Sequence, residues 1–226
     1  MGRRRYPVTG GDRGLLARIA GPLEAAPVDA GLRASELRGL RWEDIDLPKR
    51  ELHVRQRADR YNKIGKPKSG AGQRTVPLIS YVANVLREWK LASKSKDGSV
   101  FPTNTGKANS LTNIVMFGLK PAMIRAGVIV PALEGEGKPV IGKDGRPVLK
   151  AKYTGLHSLR HFYASWCINR IEDGGLGLPA KVVQERMGHS SVVMTYDVYG
   201  HLFPRGDDHI EQMDAAAQRL MNLHVA

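Results

Sequence analysis

Five short stretches of the sequence hold the residues whose side chains are best suited to take part in a chemical reaction. They read GLRASEL at 31–37, PKSGAGQR at 67–74, HSLRH at 157–161, MGHSS at 187–191 and TYDVYGHLF at 195–203. The candidates selected from them are two arginines, two histidines, a lysine and one of two tyrosines, with no acidic cluster positioned to hold Mg²⁺. Two guanidiniums can neutralise the oxygens of a phosphodiester while a tyrosine hydroxyl attacks phosphorus and a lysine protonates the departing sugar oxygen. The set therefore fits metal-free phosphoryl transfer through a covalent phosphotyrosine.

The last stretch has two tyrosines, Tyr196 and Tyr199, three positions apart. On the residues alone, either hydroxyl could be the nucleophile, and ordinary aromatic packing explains both equally well. The choice between them has to come from their surroundings.

The stretch HSLRH is typical of an anion site. A helix beginning near Ser158 leaves backbone N–H groups free beside Arg160, and such a helix end favours negative charge. The alternative is that His157 and His161 simply satisfy buried polar groups. Zinc proteases also space two histidines four apart, but they need Glu directly after the first histidine, where this chain has Ser158. We therefore expect no metal.

The remaining three stretches are informative only in combination. Arg33 lies in the turn before a helix, Lys68 lies at the tip or shoulder of a hairpin, and His189 follows a helix C-cap at Gly188. Arg33 and Lys68, taken singly, are typical of solvated surface charges, whereas the turn at Gly188 is expected to expose His189 to the space between two helices.

Composition points to a globular protein with a polyanionic partner. The chain has 226 residues, 42% of them hydrophobic, and a formal net charge of +13. The charge excess is spread along the chain, so we expect nucleic acid before membrane, although a basic ribosomal or chromatin protein would share it. One cysteine, Cys167, and the lack of a signal peptide predict a cytoplasmic protein.

The pattern of elements predicts a mostly helical α+β domain over residues 31–226 with one small antiparallel sheet. Residues 1–30 scatter Gly and Pro and are poorly defined as structure. A basic insertion over about 132–153 carries a KDG turn and predicts a β-hairpin, which either contacts DNA or is only solvated. A C-terminal helix is expected over about 207–223, and no internal repeat stands out.

In their order and spacing the five stretches resemble the catalytic domain of tyrosine recombinases of the phage integrase type. The resemblance covers roughly residues 31 to 204. It implies that two arginines clamp the scissile phosphate, a lysine is the general acid for the leaving 5′ oxygen, two histidines assist, and a tyrosine forms a 3′-phosphotyrosyl link. The site residues so implied are Arg33, Lys68, His157, Arg160, His189 and Tyr199. Tyr199 is preferred because the family pattern places its nucleophile four residues after a threonine, here Thr195, and often before Gly-His. Glu36 and His161 are implied either to orient their neighbours or to stabilise the fold, rather than to act on the phosphate.

The resemblance also implies what the protein works on. We expect site-specific recombination at double-stranded attachment sites, for the integration or excision of a prophage or mobile element, by a homotetramer on nucleoid DNA. No cofactor, nucleotide or membrane is expected. Accessory DNA-bending proteins are compatible with this reaction as further partners. We expect the family's N-terminal core-binding domain to be absent from this chain. Two rivals are a type IB topoisomerase-like nicking-closing enzyme and a truncated, non-catalytic DNA-binding remnant.

Overall fold

A computed structural model of the chain describes residues 30–93, 95, 97–103, 105–203 and 209–222. Residues 1–29, most of the segment expected to be poorly defined, lie outside this range. Within the described residues no helix is long and apolar enough to cross a membrane.

The first half of the domain is a short helix, a small sheet and a long helix. Its elements are α1 (Ala34–Gly39), β1 (Ile45–Asp46), β2 (Glu51–Val54), β3 (Arg57–Ala58), β4 (Ile64–Gly65), β5 (Arg74–Pro77) and α2 (Ser80–Ala92). Strands β1, β2 and β5 form one antiparallel sheet in that order, and β3 pairs with β4 as a separate hairpin. The expected small antiparallel sheet is therefore present.

The second half is mainly helical and carries the insertion. Its elements are α3 (Leu111–Asn113), a π-helix (Ile114–Leu119), α4 (Lys120–Arg125), β6 (Ile129–Pro131), β7 (Leu133–Glu134), β8 (Lys138–Pro139), β9 (Leu149–Ala151), α5 (His157–Ile168), α6 (Ala180–Met187), α7 (Val192–Tyr199) and α8 (His209–Asn222). Pro121 lacks an N–H group for the Phe117 carbonyl, so a regular α-helical pattern cannot continue through this region. The wider π-helix joins α3 to α4 there.

One hydrophobic core joins the sheet to the helices. Leu52 and Val54 of β2 alternate with less buried neighbours, as expected for a strand with one face inward. Val82 and Leu86 bring α2 onto the same core, and Leu159 and Tyr163 bring α5. Because α5 packs into the core, its first turn is held rigidly at the surface where the candidate site lies.

The insertion differs from the single hairpin expected over about 132–153. Strands β6 and β9 form a stem, and the chain between them folds into two hairpins, one formed by β7 and β8 and one closed by a bridge between Ile141 and Pro147. The KDG turn belongs to the second of these. The insertion also contains a short internal repeat: Pro, then Ala or Val, then Leu or Ile, at 131–133, 139–141 and 147–149. The expectation of no internal repeat was therefore wrong.

Candidate active site

Three arginines meet at the C-terminal end of α6. Arg74 Nε donates to the carbonyl of Arg186 at 2.7 Å, Arg160 to that of Met187, and Arg33 to that of Gly188 at 2.9 Å. These are three consecutive carbonyls of a helix end that has no intrahelical partners for them and carries the negative end of the helix dipole. Arg33, Arg74 and Arg160 lie far apart in the sequence, but the fold brings them together as one cationic cluster.

Glu36 is the carboxylate that balances part of this charge. It accepts hydrogen bonds from Arg33 Nη1 at 2.7 Å and from Arg74 Nη2 at 2.9 Å, and its side chain is only 3% exposed. Burial acts to raise the pKa of Glu36, but the hydrogen bonds and charge of Arg74 and Arg33 outweigh it, so the pKa lies below its usual value. One carboxylate among three guanidiniums leaves a net positive site.

Arg160 lies in the first turn of α5, deeper than Arg33. It is 3% exposed, whereas 38% of the Arg33 side chain is exposed. Burial, reinforced by the charges of Arg33 and Arg74, lowers the pKa of Arg160 to about 10, which still leaves it protonated at neutral pH. Arg160 also donates to the carbonyl of Gly31. Each guanidinium has five N–H donors, so both arginines keep donors for an anion beyond their protein partners.

His189 is held beside the arginines by the turn that ends α6. Gly188 has a left-handed φ of 62°, and a Cβ there would lie 2.8 Å from Arg74 Nη1, so only glycine fits. The next residue, His189, hydrogen-bonds Thr195 Oγ1 of α7 through Nδ1 at 2.9 Å. Burial, with the nearby Arg160, Arg33 and Arg74, lowers the pKa of His189 to about 4.

Tyr199, at the end of α7, is the tyrosine that faces this cluster. It is 5% exposed, its ring stacks on that of His189 at 6.3 Å, and its hydroxyl lies 2.8 Å from His161 Nδ1. Burial raises the pKa of Tyr199 to about 12, although Arg160 opposes the shift. Burial, with His157 and Arg160, lowers the pKa of His161 to about 4. At neutral pH the His161 imidazole is therefore uncharged, and its Nδ1 lies within hydrogen-bond distance of the Tyr199 hydroxyl.

Tyr196 has a different environment. It is 51% exposed and its ring packs against Phe203 at 5.1 Å. The geometry thus separates two hydroxyls that the sequence alone left equivalent.

Lys68 lies on the exposed bend between β4 and β5, next to the site rather than in it. The loop is anchored by bonds from Gly72 N to Ser69 O and from Arg74 Nη1 to Gly72 O. A Cβ on Gly188 would also lie 2.9 Å from Ala71 O, so this loop touches the end of α6. Lys68 itself is exposed on this loop.

The structure therefore gathers five of the six predicted residues, Arg33, His157, Arg160, His189 and Tyr199, with Lys68 on an adjoining loop. The His157 ring packs edge-on against the His161 ring, with 4.5 Å between the two ring centroids. Sequence reasoning missed Arg74. No sequence signal marks it, because the burial of Glu36, which calls for a second cation besides Arg33, is visible only in the structure. Among the described residues no His, Cys, Asp or Glu group could hold a metal ion.

Comparison with known proteins shows which family the chain belongs to. The sequence profile of the phage integrase family matches residues 26–205. The chain belongs to the phage integrase family. It is 30% identical over 192 residues to a XerC-like tyrosine recombinase of Caldanaerobacter subterraneus subsp. tengcongensis, covering 77% of this chain and 44% of that protein. With tyrosine recombinase XerC of Xanthomonas axonopodis pv. citri it shares 33% identity over 174 residues, or 76% and 43% of the two chains.

Solved integrase structures share the fold. The Tn1549 transposon integrase in complex with transposon right end DNA matches with a TM-score of 0.65 at 22% identity, covering 96% of this chain and 67% of that one. The catalytic domain of bacteriophage HP1 integrase matches with a TM-score of 0.50 at 18% identity, covering 93% and 95%. The α+β, mostly helical fold is thus that of tyrosine recombinase catalytic domains. This integrase-family chain spans less than half the length of the two recombinases above.

The buried imidazoles predict how stability depends on pH. In the folded protein the pKa values of His161 and His189 are about 4, against an ordinary value of 6.5. The unfolded chain therefore takes up protons first, and the free energy of unfolding should fall as pH drops from about 6.5 towards 4. Urea denaturation across this range measures the effect. His189→Asn should flatten the slope, whereas the same change at the exposed His201 should not; equal slopes in both variants would contradict the assignment.

Proposed function

We propose that the chain is the catalytic part of a site-specific DNA recombinase that cleaves and rejoins double-stranded DNA through a 3′-phosphotyrosine. The observation that carries the proposal is the buried Tyr199 hydroxyl, which lies 2.8 Å from a neutral imidazole and shares its site with two arginines. A deprotonated tyrosine is costly in a buried site unless a base takes the proton and cations receive the charge that develops on phosphate. This site supplies both.

The proposed reaction needs no cofactor. Arg33 and Arg160 bind the nonbridging oxygens of the scissile phosphate, with His157 and His189 beside them as further donors. The Tyr199 oxygen forms a bond to phosphorus as its proton passes to His161, the P–O5′ bond breaks, and Lys68 protonates the departing 5′ oxygen. Because the phosphodiester energy is kept in the phosphotyrosine, a second 5′-hydroxyl can reverse the step without a nucleotide.

For the assembly, we propose a homotetramer on paired attachment sites in bacterial nucleoid DNA, with accessory DNA-bending proteins where a site requires them. DNA as the partner is supported by the similarity to the Tn1549 transposon integrase, whose structures contain circular intermediate DNA. Prophage or mobile-element integration and excision are the processes that such a reaction serves; prophage integrase IntR of Escherichia coli is a relative at 27% identity.

The test is covalent capture. The protein is first used to select its preferred duplex from a random pool, and that duplex is then nicked beside the cleavage position so that rejoining is impossible. We expect a DNA–protein adduct that survives denaturation. Binding without any adduct would overturn the enzyme assignment in favour of a non-catalytic DNA-binding protein. Relaxation of supercoiled plasmid without strand exchange would instead identify a nicking-closing enzyme of the topoisomerase IB type.

A further inference from the structure

The insertion over residues 129–151, called the β-insertion below, is built from a threefold repeat. Pro, then Ala or Val, then Leu or Ile recurs every eight residues, at 131–133, 139–141 and 147–149. Each leucine or isoleucine pairs across strands with the proline of another repeat: Pro131 with Leu149, Leu133 with Pro139, and Ile141 with Pro147. The repeat in sequence is thus a repeat in structure.

The centre of the β-insertion is a closed ring of backbone hydrogen bonds. Ala132 N donates to Val148 O at 2.7 Å, Val140 N to Ala132 O at 2.8 Å, and Val148 N to Val140 O at 2.8 Å. The stem and the two hairpins therefore meet at one three-way junction. Gly137 and Gly145 occupy equivalent turn positions with φ values of 78° and 76°. This backbone network keeps the β-insertion ordered even though its side chains are mostly exposed.

The junction gives the β-insertion two chemically different faces. Paired residues point to the same side of a sheet and successive residues alternate, so all three Pro–Leu/Ile pairs share one side, the apolar face. Leu133, Ile141 and Leu149 on this face are 56%, 55% and 52% exposed. The same alternation places four cations on the opposite side, the basic face, and these are Lys138, Arg146, Lys150 and Lys152. Among the paired residues that the structure describes, Glu134, opposite Lys138, is the only carboxylate that the register places there.

The base of the β-insertion lies close to the candidate active site. Strand β9 ends at Ala151, and Lys152 N bonds to Val128 O at 3.0 Å, which closes the base of the stem just before α5 begins at His157. Helix α4 packs against β9, and its Lys120 lines a cavity together with Gly155 and His157. The stem is therefore attached beside the residues proposed to bind the phosphate.

We infer that the basic face of the β-insertion binds the DNA backbone beside the scissile phosphate. The inference rests on the proposed function, because it extends the same DNA past the site. Same-face residues two apart on a strand, such as Lys150 and Lys152, are separated by about 6.6 Å, a spacing at which lysine ammonium groups can contact neighbouring phosphates. The Lys152 ammonium lies over the Tyr153 ring, 5.2 Å from its centroid. Such contacts position the duplex and release counterions without reading sequence.

The experiment compares the two faces of one element. The basic-face variant carries Lys138→Gln, Arg146→Gln and Lys150→Gln, and the matched control carries Leu133→Thr, Ile141→Thr and Leu149→Thr, which keep good strand formers at exposed positions. Fluorescence anisotropy measures binding to a labelled mixed-sequence duplex over a range of salt concentrations. Circular dichroism and urea midpoints check that both variants keep the wild-type fold.

We expect the basic-face variant to bind about tenfold or more weakly at physiological salt and its log–log salt slope to fall by about 2 to 3, while the control matches wild type. An unchanged salt slope in the basic-face variant overturns this inference but leaves the proposed function standing. So does weakened binding confined to the control, which would mark the apolar face as a protein-docking surface. A wild-type protein that binds no duplex would instead overturn the proposed function, and this inference with it.

Discussion

Tyr199→Phe should abolish the covalent DNA adduct while leaving DNA affinity close to that of wild type. The substitution removes one oxygen atom, the one that lies 2.8 Å from His161 Nδ1, and leaves the ring that stacks on His189. Without that oxygen no ester to phosphorus can form, so the loss is complete rather than partial. Adduct formation on the nicked duplex measures the chemistry, and anisotropy on the same duplex measures binding.

Tyr196→Phe is the matched control for this result. It removes the same atom three residues away on the same helix, from a ring that is 51% exposed and packs on Phe203. The adduct yield should stay within about twofold of wild type, since surface substitutions of this kind change little. An adduct that survives in Tyr199→Phe and is lost in Tyr196→Phe would reverse the assignment of the nucleophile.

The sequence located the pieces of the site because each piece depends on local chemistry. Gly188 ends a helix in the left-handed conformation, which places His189 in the following turn, and that is a local rule of helix ends. The helix that carries Arg160 begins at His157, one residue before the expected start. The phosphotyrosine hypothesis needed only the types of residues present, and the fold gathers all of them except Lys68, which lies on an adjoining loop.

What the sequence could not provide are the contacts between distant segments. Arg74 lies far from Arg33 and Arg160 along the chain, and only the packing of β5 against α6 brings its guanidinium to the Arg186 carbonyl. The hydrogen-bond partner of Tyr199 is equally non-local, because Tyr199 lies on α7 and His161 lies on α5. The β-insertion is a different case: its repeat was readable, but the KDG turn suggested one hairpin, and only cross-strand pairing reveals a three-way junction.

Glu36→Ala should strongly destabilise the folded protein. The Glu36 and Arg74 side chains are 3% and 6% exposed, and the carboxylate also fixes Arg33 through both its backbone N–H and its guanidinium. Removing one partner of a buried pair leaves the other charge uncompensated, which typically costs about 3 to 5 kcal/mol. Urea denaturation measures this loss. Adduct formation should fall as well, because Arg33 would no longer be held toward the proposed phosphate site.

Glu43→Ala tests whether that cost comes from burial rather than from charge. Glu43 also pairs with an arginine, Arg41 at 3.4 Å, but its side chain is 68% exposed, and such surface pairs contribute about 0 to 1 kcal/mol. Glu36→Gln should fall between the two, since it keeps one hydrogen-bond acceptor for Arg74 and loses the charge. If Glu36→Ala and Glu43→Ala proved equally mild, backbone carbonyls would be enough to stabilise the three arginines, and the proposed stabilising role of Glu36 would be wrong.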